Sequence, residues 1–373
     1  MIDFPILFEG SLPHWIWTVC GFAYYFILLF YYRRVVSNKL WEETKPYTKH
    51  FLFFCIAVFA ICAFYTGDFS HYQEIVKTER DINHMEDVYQ AVISFVNNNY
   101  LLFRIIFWGG GTLLLMVAFK NCSLDPYRSL FYLFASYITS FSYSRAGVAL
   151  AVYFCGVSFM FDNGKRGLLL RLLGLGLVVS SYFFHNSLLV PVILTPVAFI
   201  PINKKTLFVY LFAVLALFVF SDSLLGNIMR EAMTIEDISE RIDAYKLKIG
   251  FRAHSGLIPT ITFFWLKLIV HLPFWVAVVM VFKHQSSYHI PGNIMAMFRI
   301  SVLLYVFFML MFSVYGEVSP FYYRYEGMIY IPITIMINYL YQEHILSRKT
   351  FERLILFGAL WLCWDFFYRI FFT

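Results

Sequence analysis

The sequence has little charge and too few polar side chains to cover a soluble surface. Only 14% of its 373 residues are Asp, Glu, Lys or Arg, against about 25% in soluble globular domains. Sixty per cent are apolar and 21% are aromatic, more than a soluble domain of this length can bury while keeping a polar surface. The composition excludes a soluble globular enzyme, a disordered chain and a nucleic-acid-binding module. It indicates a membrane protein with many spans.

The signatures of several chemistries are also absent. The six cysteines follow neither the spacing of metal ligands nor that of a secreted disulfide framework. The chain contains no Gly-rich phosphate loop, no His-Glu-x-x-His helix, no Gly-x-Ser-x-Gly elbow and no Asp-x-Asp pair. We therefore expect neither a metal site nor a cofactor. An activated donor would need arginine side chains to hold its leaving group, because the planar guanidinium binds phosphate oxygens bidentately without a metal.

Apolar runs between charged residues predict about 12 membrane-spanning helices, within a range of 10–14. A span needs about 20 residues, so 12 spans with short turns fill the chain as one integral membrane domain over residues 1–373. We expect an all-α transmembrane bundle. The candidate spans lie near residues 14–32, 50–66, 101–119, 129–143, 147–161, 168–184, 187–201, 206–221, 258–282, 294–316, 327–341 and 354–371.

The distribution of basic residues predicts the orientation of these spans. Alternate connections carry fifteen Lys and Arg residues against six acidic ones, and an excess of Lys and Arg in short loops marks the cytoplasmic side. Both termini then lie outside. The N-terminus lacks the basic region of a cleavable signal, so we expect the first span to remain as an anchor.

Two longer connections, about 67–100 and 222–257, lie on the outside in this topology. In each, apolar residues recur at steps of three and four, which predicts an amphipathic helix. Such helices lie at the membrane interface. Asn83 and Glu86 have the spacing of a capping box at the start of the helix in the first loop.

Ionisable residues stand among aromatic ones at four external turns. Such groups near hydrocarbon are costly and indicate function, although each has a simpler interpretation. Arg145 and Arg324 could instead contact lipid phosphates or pair with a carboxylate, Asp68 could cap a helix, and His185 could bond a backbone carbonyl. Arg104, near a span end, could extend towards the lipid headgroups.

The central segment resembles the EpsG family of Wzy-type bacterial polysaccharide polymerases. The resemblance rests on SRAGVALA at 144–151, GKR at 164–166 and FFHNSLL at 183–189, supported by residues 67–72, 85–89 and 323–325. It extends over roughly residues 60–340. Two positions depart from the family pattern: Ala146-Gly147 replaces a Gln that commonly follows the arginine, and Asn186 follows His185.

The resemblance implies a metal-independent glycosyltransferase in the bacterial cytoplasmic (inner) membrane. Such an enzyme transfers a growing glycan from undecaprenyl diphosphate to a sugar hydroxyl of the next lipid-linked repeat unit, at the outer face. The partners implied are the lipid-linked donor and acceptor, membrane lipids and a chain-length regulator protein, with no nucleic acid. The candidate residues are His185, Asp68 and Glu86 as general base; Arg145, Arg324 and Arg104 as diphosphate ligands; and Tyr72, Tyr322 and Tyr323 as sugar-stacking rings.

Three alternatives remain open. An O-antigen-type ligase, or another lipid-linked glycosyltransferase, would share the external arginines and histidine and differ in its acceptor. A polysaccharide transporter or flippase would concentrate its polar groups near the bilayer midplane and show internal repeats. In this sequence the polar residues concentrate at the predicted outer boundary, and no internal repeat appears. A membrane O-acyltransferase would rest on His185 alone.

Overall fold

The computed structural model describes most of the chain as helices. The described residues are 14–36, 44–62, 68–78, 85–142, 145–161, 167–200, 271–284, 290–315 and 320–372, with isolated positions between 202 and 269. Every regular element in these ranges is helical, which confirms the all-α class. The external loop at 222–257 and its predicted helix lie outside the described residues.

Most of the described helices overlap predicted apolar runs. The predicted span at 206–221 and the first part of that at 258–282 lie outside the described residues, apart from isolated positions. Their bounds are α1 His14–Val36, α2 Pro46–Cys62, α3 Asp68–Thr78, α4 Asp87–Val96, α5 Tyr100–Asn121, α6 Pro126–Ser142, α7 Arg145–Met160, α8 Leu168–Phe184, α9 Leu189–Leu194, α10 Leu272–His284, α11 Gly292–Tyr315, α12 Pro320–Gln342 and α13 Arg348–Phe372.

Two predictions about the spans need revision. Judged by length and composition over the described residues, α5 alone is long and apolar enough to cross a membrane. The count of about 12 spans is therefore not confirmed. Residues 187–201, expected as one span, form a 3-10 turn at Asn186–Leu188, the short helix α9, and a second 3-10 turn at Thr195–Phe199. Pro191 and Pro196 lack the N–H that a continuous helix needs.

The predicted amphipathic segment at 67–100 contains two separate helices. In α4 the buried residues are Tyr89, Ile93 and Val96, spaced four and three apart as expected for one apolar face. The helix ends at Asn97 in the left-handed conformation, with φ of 47°, which is typical of helix C-termini. The start of α5 is capped by Asn99, whose Oδ1 accepts the Leu102 N–H at 3.0 Å.

The chain divides into two compact units. The first comprises residues 1–192, 291–294 and 334–373. Its most buried element is α7, in which every residue from Ala146 to Ser158 is buried. A helix that is apolar on all sides and buried on all sides lies at the centre of its packing unit.

The second unit comprises residues 193–290 and 295–333. In it, the buried His271 lies among the rings of Tyr305, Phe308 and Tyr330, at centroid distances of 5.5, 5.2 and 6.4 Å. Arg299 donates a hydrogen bond to the carbonyl oxygen of Ala198 at 2.7 Å. The unit therefore has an aromatic core of its own.

Candidate functional site

An ion pair between Arg145 and Glu86 joins two segments of the first unit that lie far apart in sequence. Arg145 is the first residue of α7, and Glu86 occupies the N-cap position of α4. The Arg145 Nη1 donates to Glu86 Oε2 across 59 positions of sequence. The side chains are only 19% and 11% exposed, so water and salt screen this pair less than a surface pair.

Glu86 has a different local role from the one that the capping-box spacing predicts. It lies at the N-cap rather than inside the helix, with an extended backbone, and its side chain makes no capping hydrogen bond. Asn83 lies outside the described residues. The Glu86 carboxylate accepts a hydrogen bond from Arg145 instead of from a backbone N–H of the helix, because the charged guanidinium is the stronger donor.

Two tyrosines contact Arg145 beside the ion pair. The Tyr72 hydroxyl, from α3, accepts a hydrogen bond from Arg145 Nε at 3.3 Å. The Tyr89 hydroxyl, from α4, donates to the Arg145 carbonyl oxygen at 3.3 Å. Their ring centroids lie 5.5 and 5.6 Å from the guanidinium carbon, within the range of cation–π attraction. Three helices, α3, α4 and α7, therefore meet at one arginine.

Burial further favours the neutral form of the Tyr89 phenol. Desolvation raises the pKa of Tyr89 well above its usual value, while the nearby Arg145 acts in the opposite direction and is outweighed. Tyr89 is therefore a hydrogen-bond donor at physiological pH and no candidate for a proton acceptor. Arg145 remains charged, because a guanidinium does not lose its proton in proteins.

An aromatic cluster from α5 and α8 supports these tyrosines. The Phe107 ring stacks on Tyr89 at a centroid distance of 4.2 Å. Phe184, the last residue of α8, packs edge-on to both, at 6.5 Å from Tyr89 and 6.3 Å from Phe107. Because Phe184 directly precedes His185, the cluster also brings the end of α8 to the arginine site.

His185 ends α8 and begins the 3-10 turn that follows. It is 6% exposed, and its backbone N–H donates to the carbonyl oxygens of Ser181 and Tyr182. Its Nδ1 accepts the Ser187 N–H at 3.1 Å and lies 2.8 Å from the Ser187 hydroxyl. Since Nδ1 accepts a backbone N–H, the neutral imidazole carries its proton on Nε2. This tautomer favours a hydrogen-bond donor at Nε2 over the general base that the sequence suggests.

The Arg104 guanidinium binds groups within the protein. It is 2% exposed; Nε donates to the Ile61 carbonyl at 2.7 Å and Nη2 to the Ala60 carbonyl at 2.8 Å. These carbonyls belong to the last turn of α2, whose acceptors lack helical partners. The guanidinium also lies over the Trp108 ring, 3.6 Å from the centroid. We therefore leave Arg104 out of the proposed diphosphate ligands.

Four of the predicted site residues have side chains outside the described part of the structure. Asp68 is the first residue of α3, and Tyr322, Tyr323 and Arg324 lie in the first turns of α12. The roles assigned to them remain predictions.

Sequence reasoning missed the residues that hold the site together, chiefly Tyr89, Phe107, Trp108 and Phe184. The available signal was the pair Phe107-Trp108 directly before three glycines at 109–111, inside an otherwise regular apolar run. Among the described residues, no group of three or more His, Cys, Asp or Glu side chains has the geometry of a metal site.

The helical fold of the described residues, its apolar helices and the arginine held where α3, α4 and α7 meet define the class: a helical membrane protein with a charged, aromatic-lined site. The chain belongs to the EpsG family, whose family model matches residues 47–373. This membership implies a glycosyltransferase-like polymerase of polysaccharide biosynthesis. No curated protein and no solved structure matches the chain.

Proposed function

We propose that this protein polymerises polysaccharide repeat units carried on undecaprenyl diphosphate, at the outer face of the bacterial cytoplasmic membrane. The observation that carries the proposal is the Arg145–Glu86 pair. It sets a cation suited to a diphosphate beside a carboxylate suited to accept a proton, in a chain of the EpsG family. We further propose about 12 spans in one membrane domain, with both termini outside.

The reaction we propose is a displacement at an anomeric carbon. The hydroxyl oxygen of the incoming unit forms a bond to the anomeric carbon of the growing chain, and the bond from that carbon to the diphosphate oxygen breaks. Undecaprenyl diphosphate leaves, and the hydroxyl proton passes to the general base. Arg145 stabilises the charge that develops on the diphosphate as the bond breaks.

Glu86 is our first choice of general base. In the free protein its carboxylate accepts a hydrogen bond from Arg145. A diphosphate bound to Arg145 competes for the same guanidinium donors, because both are anionic oxygen acceptors. Substrate binding would then release a Glu86 oxygen to accept the hydroxyl proton. Asp68 and His185 are the other candidates for this role.

Tyr72 is assigned to holding Arg145 rather than to stacking on a sugar. Its side chain is buried, its hydroxyl accepts from Arg145, and its ring lies close to the guanidinium. Arg324 remains the proposed second diphosphate ligand, and Tyr322 and Tyr323 the proposed sugar-stacking rings. A chain-length regulator protein remains a proposed partner.

The test is a reconstituted assay with a synthetic undecaprenyl-diphosphate-linked oligosaccharide. Wild-type protein in lipid nanodiscs should give a ladder of products on a gel, each one repeat unit longer than the last. Arg145→Lys and Glu86→Gln should each lower the rate by at least a hundredfold. The matched controls are Arg171→Lys, an exposed arginine of α8, and Asp87→Asn, the exposed neighbour of Glu86.

The products also separate the alternatives. Transfer of a single unit to an unrelated acceptor, without a ladder, would identify a ligase. Movement of the lipid-linked substrate across a vesicle membrane, without new glycosidic bonds, would identify a flippase. A full-length ladder from both Arg145→Lys and Glu86→Gln would overturn the proposed site.

A further inference from the structure

Helix α5 widens for one turn beside the arginine site. Residues Ile105–Gly109 have π-helical geometry, and the Gly110 N–H is directed at the carbonyl of Ile105, five residues earlier. Such turns change the direction in which the following side chains point and are frequent at functional sites. Here the widened turn contains the two aromatic residues that the arginine site uses.

Phe107 and Trp108 support different tyrosines of the same site. Phe107 stacks on Tyr89 at 4.2 Å, and Trp108 packs against Tyr72 at 6.4 Å. Consecutive residues of a regular α-helix project about 100° apart. In the π turn, the neighbouring residues Phe107 and Trp108 contact Tyr89 and Tyr72, both of which contact Arg145.

Arg104 also contacts the Trp108 ring. Its guanidinium lies 3.6 Å from the Trp108 centroid and donates to two carbonyls at the end of α2. The contacts therefore form a chain that runs from α2 through Arg104, Trp108 and Tyr72 to Arg145. Trp108 is fully buried, so packing holds its ring in contact with Arg104 and Tyr72.

We propose that Arg104 and Trp108 are positioning residues that set the orientation of Arg145 through Tyr72. This inference rests on the proposed function in that Arg145 is taken to act on the lipid diphosphate. Arg104 does not touch the substrate in this scheme. A small misplacement of Arg145 lowers the rate of the chemical step, since transition-state stabilisation depends on preorganised geometry.

The test combines chemical labelling of Arg145, which does not depend on enzyme activity, with the polymerisation assay. Phenylglyoxal modifies accessible guanidinium groups, and peptide mass spectrometry gives the rate at each arginine. Arg104→Lys keeps the charge but loses the planar fork and the stacking surface, and Trp108→Leu loses the ring. We expect Arg145 to be modified at least threefold faster in both variants. In the polymerisation assay kcat should fall at least tenfold, with KM changed less than threefold.

Two variants serve as controls. Trp108→Phe keeps an aromatic ring beneath Tyr72 and should hold both measurements within threefold of wild type. Arg171→Lys removes a guanidinium of α8 from outside the chain of contacts and should change neither. If Trp108→Leu does not fold, Arg104→Lys, which nearly conserves volume and charge, still tests whether the contacts position Arg145.

The outcomes for this inference and for the proposed function are distinguishable. Unchanged labelling of Arg145 in folded Arg104→Lys, or a rise in KM without a fall in kcat, would overturn the positioning role while leaving the polymerase proposal in place. A wild-type protein that makes no ladder, but whose Arg145 labelling responds to Arg104→Lys, would overturn the function while supporting the structural link.

Discussion

Gly156 and Gly174 bring the backbones of α7 and α8 into direct contact. A Cβ atom on Gly156 would lie 2.7 Å from the Gly174 carbonyl oxygen, and one on Gly174 would lie 2.7 Å from the Gly156 carbonyl oxygen. Arg145 precedes Gly156 by eleven residues, and His185 follows Gly174 by eleven. At about 1.5 Å per residue, the crossing lies about 16 Å along each helix from these two residues, which sets both at a similar level.

Gly174→Ala should therefore destabilise the protein. The added methyl group has no space at the crossing, and overpacking of this kind costs about 1–3 kcal/mol. Gly176→Ala, two residues further along α8, is the matched control, because a Cβ there meets nothing within 4 Å. It should be neutral or stabilising by up to about 1 kcal/mol through helix propensity. Thermal unfolding in detergent measures both, and equal melting temperatures would contradict the close crossing.

The Arg145–Glu86 pair should show energetic coupling. Removal of either partner leaves a charge in a mostly buried position, so Glu86→Gln and Arg145→Gln should each lower stability. The double variant should lose less than the sum, with a coupling of about 1–3 kcal/mol between contacting residues. Asp87→Asn should couple to Arg145→Gln by less than about 0.5 kcal/mol. Additive losses from Glu86 and Arg145 would show that the two side chains do not interact in the folded protein.

Tyr72→Phe separates the two roles considered for Tyr72. A phenylalanine ring can still stack on a sugar, whereas it cannot accept the hydrogen bond from Arg145 Nε. If Tyr72 holds Arg145, we expect kcat to fall about three- to tenfold, since one modest hydrogen bond is worth about 1 kcal/mol. Steady-state kinetics with the lipid-linked oligosaccharide measures this change. Full activity in Tyr72→Phe together with a raised acceptor KM in Tyr72→Leu would restore the sugar-stacking role.

His185→Asn tests whether the imidazole is a general base. The Asn Oδ1 can accept the Ser187 N–H as His185 Nδ1 does, because Asn is a favoured N-cap residue. We expect the melting temperature to stay within about 3 °C of wild type and the polymerisation rate to fall less than tenfold. Loss of a general base costs about 10²–10⁴ in rate. A folded His185→Asn with a loss of a hundredfold or more would return His185 to the role of base.

Much of the helical architecture followed from the sequence because it depends on local pattern. The apolar runs predicted α5, α7 and α8 to within a few residues. The steps of three and four from Met85 to Phe95 predicted a helix there but the wrong face, because Tyr89, Ile93 and Val96 are the buried residues of α4 and Phe95 is 76% exposed. The run at 187–201 was wrong as a single span, because its apolar composition concealed the effect of Pro191 and Pro196 on backbone hydrogen bonding.

The site was only partly predictable, because its contacts join residues far apart in sequence. Arg145, Glu86 and Tyr72 were each candidates, yet nothing in their local sequence indicated that they meet, across separations of 59 and 73 positions. Arg104 had the residue type of a phosphate ligand, but the last turn of α2 supplies carbonyl acceptors for its guanidinium. The π turn in α5 could not be predicted from the periodicity of apolar residues in the sequence.

The sequence by itself determined an apolar, helical chain with ionisable residues set among aromatic ones between the apolar runs, because both follow from the cost of exposing charge to hydrocarbon and polar backbone to lipid. Only the tertiary structure decided which of these residues act together. Pairing between a guanidinium and a carboxylate depends on distance, and the distance between Arg145 and Glu86 is set by how α3, α4, α5 and α7 pack around Tyr72 and Tyr89.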